Sequence, residues 1–286
     1  MNSNCSRCQK PGGINSSYVR KSDHVKVTQY RCFKCNVLWT DKTDNLEKYQ
    51  KLRSINKTLR PILVSCVSMR RAAMLHGVDR KTIARRVRYW AEKSKLLLEE
   101  SRAKNLQTKE IYIDELITFE HTRCKPVAVC MAVSKERKVL AFAASPMPAI
   151  GQNLKKIALK KYGPRPNLRR KGVKTCLSAM SKHINPATVF KSDEETSYGS
   201  LIRGQFPMNK HLTFRSKRAV IAGQGELKDN SYDPLFSINH TFAMLRANLA
   251  RLARRTWVTT KKIERLEDFL MIYAAFHNLE LTSRAS

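Results

Sequence analysis

At 286 residues, with 42% hydrophobic side chains and only 10 glycines and 10 prolines, the chain can bury a core and is not a disordered polymer. It carries 55 Lys and Arg against 23 Asp and Glu, a formal net charge of +32, so the expected partner is a polyanion, DNA or RNA first. No apolar run approaches the roughly 20 residues that cross a bilayer and Met1–Cys5 has no apolar leader character, so a reducing, cytoplasmic setting without a membrane partner is expected.

The eight cysteines divide unevenly. Cys5-Ser6-Arg7-Cys8 and Cys32-Phe33-Lys34-Cys35 are two knuckles, each placing two thiolates on one tight turn. Two such turns complete a tetrahedral S4 site, which suits Zn2+. Val25–Cys32 and Asn36–Thr40 have strand character, so residues 1–42 are predicted as a zinc ribbon. With so little core, the metal should supply much of its folding energy. Cys66, Cys124, Cys130 and Cys176 have no ligand-like spacing and read as buried small hydrophobes.

Residues 43–107 have helical character, beginning with a stretch near Asn45–Ile55. Further on, Ser68 is a plausible N-cap, Ala72, Ala73 and Leu75 form an apolar face, and Gly77 stands where a helix end needs a left-handed residue. Val78 plugs the turn and Asp79 caps the next helix. Ile83, Val87 and Trp90 then face inward, leaving Arg80, Lys81 and Thr82 at the helix start and Arg85, Arg86 and Arg88 on the outer face. This is a helix-turn-helix pattern with Asp79–Trp90 as the recognition helix. The plainer alternative is a basic helical hairpin. Residues 91–108 are polar and read as a helical extension and linker.

From Glu110 the pattern changes to strands. Ile111–Asp114, Pro126–Val133 and Lys138–Ala144 are expected as three antiparallel strands, with Ser134–Arg137 as a turn. Helices follow near Gly151–Lys161 and Lys174–His183, then a strand over Thr188–Ser192, a further one near His211–Arg215, and helices over Leu235–Thr256 and Lys261–His277. That order is the order of an α/β ribonuclease-H-like domain over residues 108–286, with a mixed five-stranded sheet. The whole chain is thus predicted as a multidomain α+β protein. Asp114 lies within an apolar run, where an uncompensated carboxylate costs several kcal/mol. In this fold the first and fourth strands are neighbours, so Asp114 and Asp193 would face each other although 79 positions separate them (193 − 114). Two carboxylates so placed can bridge two Mg2+ or Mn2+ ions for phosphodiester cleavage and strand transfer.

Ile113-Asp114-Glu115 before an antiparallel hairpin, Ser192-Asp193 before a helix, and the tail from Asn239 through Leu245-Arg246 and Leu249-Ala250-Arg251-Leu252 to Thr256 resemble the insertion-sequence-one family of bacterial DDE transposases. A zinc ribbon and a helix-turn-helix ahead of the catalytic domain are the same layout. The resemblance implies that Asp114 and Asp193 are the first two catalytic acids. The third, a glutamate in most of the family, falls seven residues before Arg246, at Asn239; a neighbouring group uses Asp, Asp and Asn. Arg246 matches a basic residue suited to donor phosphate. Glu226, a carboxylate in the Gly223–Glu226 loop, is the alternative third acid, and Glu264 and Glu267 are expected on a solvated face. His121 and His240 read as polar surface, Trp257 as core packing, and Lys155–Lys161 and Arg165–Lys171 as a solvated basic face.

The expected function is that of an insertion-sequence transposase. It would bind the terminal inverted repeats and target DNA, act as a homo-oligomer, and use structural Zn2+ and two catalytic Mg2+ or Mn2+ ions. The alternatives are a transposase-derived DNA-binding regulator without activity and a metal-dependent DNA nuclease.

Overall fold

A computed structural model describes residues 4–5, 7–21, 24–41, 46–47, 50–105, 108–181, 184–215, 233–253 and 258–283. The chain divides into two compact units, 1–60 and 61–286. No helix among the described residues is long and apolar enough to cross a membrane.

In the first unit, β1 (Gly13–Val19), β2 (Lys26–Arg31) and β3 (Leu38–Thr40) form an antiparallel sheet in that order. β1 is exposed along almost its whole length, so it carries no apolar alternation by which a strand could be read. Its pairing comes from the β2 ladder. Trp39, opposite Tyr30 in register and stacked on it at 5.8 Å, packs with Cys5 and Cys32 as the buried centre. Gly12 lies so close to Trp39 that a Cβ there would sit 2.1 Å from the indole. The helix expected near Asn45–Ile55 is displaced: the described residues there are turns, and α1 spans Ile55–Leu63. Asn56 Nδ2 bonds Gln50 Oε1 at 2.8 Å, and Arg53 Nε bonds the Glu47 carbonyl at 3.0 Å. These bonds hold the segment in a turn.

The second unit opens with α2 (Met69–Leu75) and α3 (Arg80–Asn105). Ser68 Oγ accepts the Arg71 N–H at 3.2 Å, Gly77 has φ +60°, and Asp79 Oδ1 accepts the Lys81 N–H at 2.6 Å, as the sequence required. Ile83, Val87 and Trp90 are buried.

The main sheet contains β4 (Glu110–Phe119), β5 (Pro126–Ser134), β6 (Val139–Pro146), β7 (Val189–Asp193) and β8 (His211–Phe214) in the spatial order β6-β5-β4-β7-β8. β4, β5 and β6 are antiparallel, and β7 and β8 run parallel to β4. The expected mixed five-stranded sheet, with its first and fourth strands adjacent, is what forms. β5 is buried at every residue, because both sheet faces are covered. On one face α5 (Arg169–Ser178) and α6 (Thr196–Gln205) pack around Ile111, Ile113, Phe190 and Tyr198. α7 (Phe236–Asn248) packs on β4 and β5, and α8 (Ile263–Ser283) on β6.

α8 also seals the outer edge of β6. Asn278 exchanges two hydrogen bonds with the Val139 backbone, at 2.8 and 2.9 Å, and Glu267 Oε1 accepts the Ala144 N–H at 3.2 Å. Glu267 is therefore half-buried in a structural role, not solvated, while Glu264 is exposed. α3 packs along α8. The apolar stripe of α3 needs a partner, and α8 supplies it. α4 (Gln152–Tyr162) has no buried residue and stands out with Lys155, Lys156, Lys160 and Lys161.

Candidate active site and metal centre

The two cysteine knuckles are built alike. The N–H of the residue after each second cysteine returns to the carbonyl of the first: Gln9 to Cys5 at 2.8 Å and Asn36 to Cys32 at 3.0 Å. Both of those residues take left-handed backbone, at φ 56° and 55°. The four sulfurs lie within 4.8 Å of one another, with Cys5–Cys35 at 3.4 Å, Cys8–Cys32 at 3.5 Å and Cys8–Cys35 at 3.7 Å. Tetrahedral Zn–S bonds of about 2.3 Å separate sulfurs by about 3.8 Å, so number, type and spacing fit zinc. Without a cation the thiols share protons unevenly. The Cys35 N–H holds Cys32 down at about 6, while hydrogen bonding to the Cys32 and Cys5 sulfurs pushes Cys35 up to about 12. Of the other cysteines, Cys124, Cys130 and Cys176 are buried as expected, but Cys66 is exposed, at φ 57° in a turn.

The last β4–β7 pair is Ile113 with Ser192, and the next residues along the two parallel strands are Asp114 and Asp193. Alternation turns both away from the face that holds Ile113 and Phe190. Burial pushes the Asp114 carboxyl up to about 7. The Glu115 N–H, donated to Asp114 Oδ1 at 2.6 Å, opposes that rise, and the charges of Asp193 and Glu115 add to it. A half-buried oxygen donor held short of full ionisation by low polarity and like charge fits a hard divalent cation, whose charge would offset both effects.

Asn239 is on α7, exposed, and its Nδ2 donates to Asp233 Oδ2 at 3.0 Å. Glu226 and Trp257 lie outside the described residues. Among the described residues, the four cysteines are the one group of three or more His, Cys, Asp or Glu placed to hold a metal. Among the described residues no third His, Cys, Asp or Glu joins Asp114 and Asp193 in such a group. Arg246, half-buried, lines a groove of about 340 Å³ with Leu116, Thr118, Arg123 and Leu154. Leu116 is two residues past Asp114 on the same strand face, about 7 Å along. His121 is exposed, and His240 lies 3.4 Å from Arg137.

Sequence reasoning missed Arg169. It falls in the Arg165–Lys171 run read as solvated, yet it bonds Glu115 Oε2 at 2.6 Å and Glu195 Oε2 at 3.2 Å. Arg165 is likewise paired, with Glu120 at 3.1 Å. The available signal was Glu115: a second acid beside Asp114 in an apolar run demands a counterion. On α3, Arg80, Lys81, Arg85 and Arg88 are exposed and Thr82 half-buried. Arg86 is 7% exposed and does not share the outer face. It stands three residues after Ile83 and four before Trp90, which puts it on their buried side.

The chain matches no family model and no curated protein. Among solved structures it is similar to the catalytic domain of Mos1 mariner transposase, at 13% identity over 68% of this chain and 89% of that one, with a TM-score of 0.27. A likeness that slight assigns nothing to this chain. The strand order and the two aspartates are the stronger guide.

Proposed function

We propose that the chain is a DNA transposase of the insertion-sequence-one type, with a ribonuclease-H-like catalytic domain, a zinc ribbon and a helix-turn-helix. The observation that supports this most is the adjacency of the strands that carry Asp114 and Asp193. Those residues, 79 positions apart (193 − 114), each follow the last registered pair, Ile113 with Ser192, of adjacent parallel strands in a protein of net charge +32. Asp114, Asp193 and Asn239 would hold two Mg2+ or Mn2+ ions. Those ions would activate a water or 3′-hydroxyl and stabilise the leaving oxygen. Arg246 and Arg123, on the groove past Asp114, would take phosphates of the strand being cut. Arg80, Lys81, Thr82, Arg85 and Arg88 would contact the terminal repeats, Arg80 through Thr82 nearest the bases. Two ends must meet, so a homo-oligomer is the working assembly.

The test starts with duplexes selected from a random pool by binding, which are then incubated with protein and Mn2+. Cleavage and strand transfer are expected, abolished by Asp114→Asn and by Asp193→Asn with duplex binding intact. Asn239→Ala should lower the rate; full activity of that variant together with inactivity of Glu226→Gln would move the third ligand to Glu226. The exposure of Asn239 and its bond to Asp233 favour one second reading, a DNA-binding regulator. Wild-type protein that binds these duplexes and never cuts them would establish it.

A further inference from the structure

Each of the two aspartates leans on the backbone of a glutamate, and both glutamates lean on one arginine. Asp114 Oδ1 accepts the Glu115 N–H at 2.6 Å, and Asp193 Oδ1 accepts the Glu195 N–H at 3.2 Å. The side chains of those same residues meet on Arg169. Its Nη2 is 2.6 Å from Glu115 Oε2 and 3.2 Å from Glu195 Oε2, and its Nε is 3.1 Å from Glu115 Oε2. Arg169 is the first residue of α5, which packs on β5, β6 and α6. It stands on the face opposite the aspartates, where Glu115 points together with Ile113 and Cys130. The Glu115 side chain is only 4% exposed, and its Oε1 has no hydrogen-bond partner. That carboxylate depends on the guanidinium for compensation. Glu195, 33% exposed, already meets solvent. Its bond instead draws the β7–α6 junction towards β4.

We infer that Arg169 is a positioning residue for the two aspartates: by tying Glu115 to Glu195 it fixes both backbone donors, and so sets the separation of the Asp114 and Asp193 carboxylates from behind the sheet. This rests on reading Asp114 and Asp193 as metal ligands. A guanidinium suits the task because its planar fork engages two carboxylates at once, whereas an ammonium is a point charge.

Position and charge predict opposite outcomes. The positive charge of Arg169 reaches Asp114 and favours its ionised form, but it also repels any cation held there. At a pH high enough that Asp114 is ionised with or without that charge, where the experiment is run, loss of the charge alone would tighten cation binding; loss of the strut would loosen it.

The experiment uses full-length, zinc-loaded protein and reads Mn2+ affinity from the electron paramagnetic resonance of the free ion, without DNA. Arg169→Gln is expected to weaken Mn2+ binding about tenfold and to raise the Mn2+ needed for half-maximal cleavage by a similar factor. Duplex affinity should stay within twofold. Arg169→Lys, which keeps the charge and loses the fork, should fall between the two, and it carries the test if Arg169→Gln does not fold. Unchanged or tighter Mn2+ binding in folded variants would overturn the inference. The underlying reading fails separately: wild-type Mn2+ binding that is indifferent to Asp114→Asn would remove the metal site itself, whatever Arg169 does.

Discussion

Asp114 is held against its own charge. Its carboxyl sits at about 7, chiefly because it is buried, against an ordinary value of 3.8. The folded chain therefore binds that proton more tightly than the unfolded chain. The stability this confers is full below about pH 4 and is lost as pH rises through about 7. At about 1.4 kcal/mol per pH unit over the shift from 3.8 to about 7, on the order of 4 kcal/mol is withheld from the metal-free fold at pH 8. Asp114→Asn should accordingly raise the unfolding midpoint at pH 8 and leave it nearly unchanged at pH 4. Thermal unfolding without divalent metal reads this, and a less stable variant at pH 8 would refute it. Such a gain in stability on losing a functional group is the expected signature of a site shaped for a ligand.

At the scale of elements, the first unit is a three-stranded sheet around Trp39, Tyr30 and four thiols, with almost no other core. Removal of zinc by a strong chelator should melt this sheet and change the Trp39 fluorescence, while the far-ultraviolet helical signal persists. One zinc per chain by mass spectrometry, with four thiols released on chelation, is the matching stoichiometry. Cys32→Ser should lower zinc affinity by at least tenfold.

These elements were legible in the sequence to different degrees, for physical reasons. The knuckles, the Ser68 and Asp79 caps and the Gly77 turn are local chemistry, complete within a few residues. β5 announces itself as an unbroken apolar run. β1 does not, because its exposed residues carry no period, and β4 runs on to Phe119 past Asp114 through a mixture of buried and half-buried residues. The adjacency of the two strands that carry Asp114 and Asp193 followed from strand order. The Arg169 bridge did not: it joins three segments through side chains, and nothing local distinguishes that arginine from its basic neighbours. Arg86 was misread although its spacing from Ile83 and Trp90 was visible.

For the molecule as a whole, the net charge of +32 should make the proposed DNA affinity steep in salt. Each phosphate contact contributes about 0.9 to the slope of log affinity against log salt. Replacing both Arg85 and Arg88 by Ala should lower that slope by about 2 if each neutralises one phosphate, measured by anisotropy between 50 and 300 mM KCl. An unchanged slope would take the outer face of α3 out of the interface. Cleavage of prebound, saturated duplex should be affected far less.

Under the proposed function, the seam between α3 and α8 would make the molecule a gauge. At 1.5 Å per residue, the 26 residues of α3 measure about 39 Å, close to one turn of DNA. That rod is bolted to the helix that seals the sheet bearing Asp114, where a supple tether would let the cutting point wander. If α3 grips the repeat, the scissile bond is counted off by solid geometry. Products resolved on a sequencing gel should end at a single phosphodiester; a ladder of ends would mean that the gauge slips.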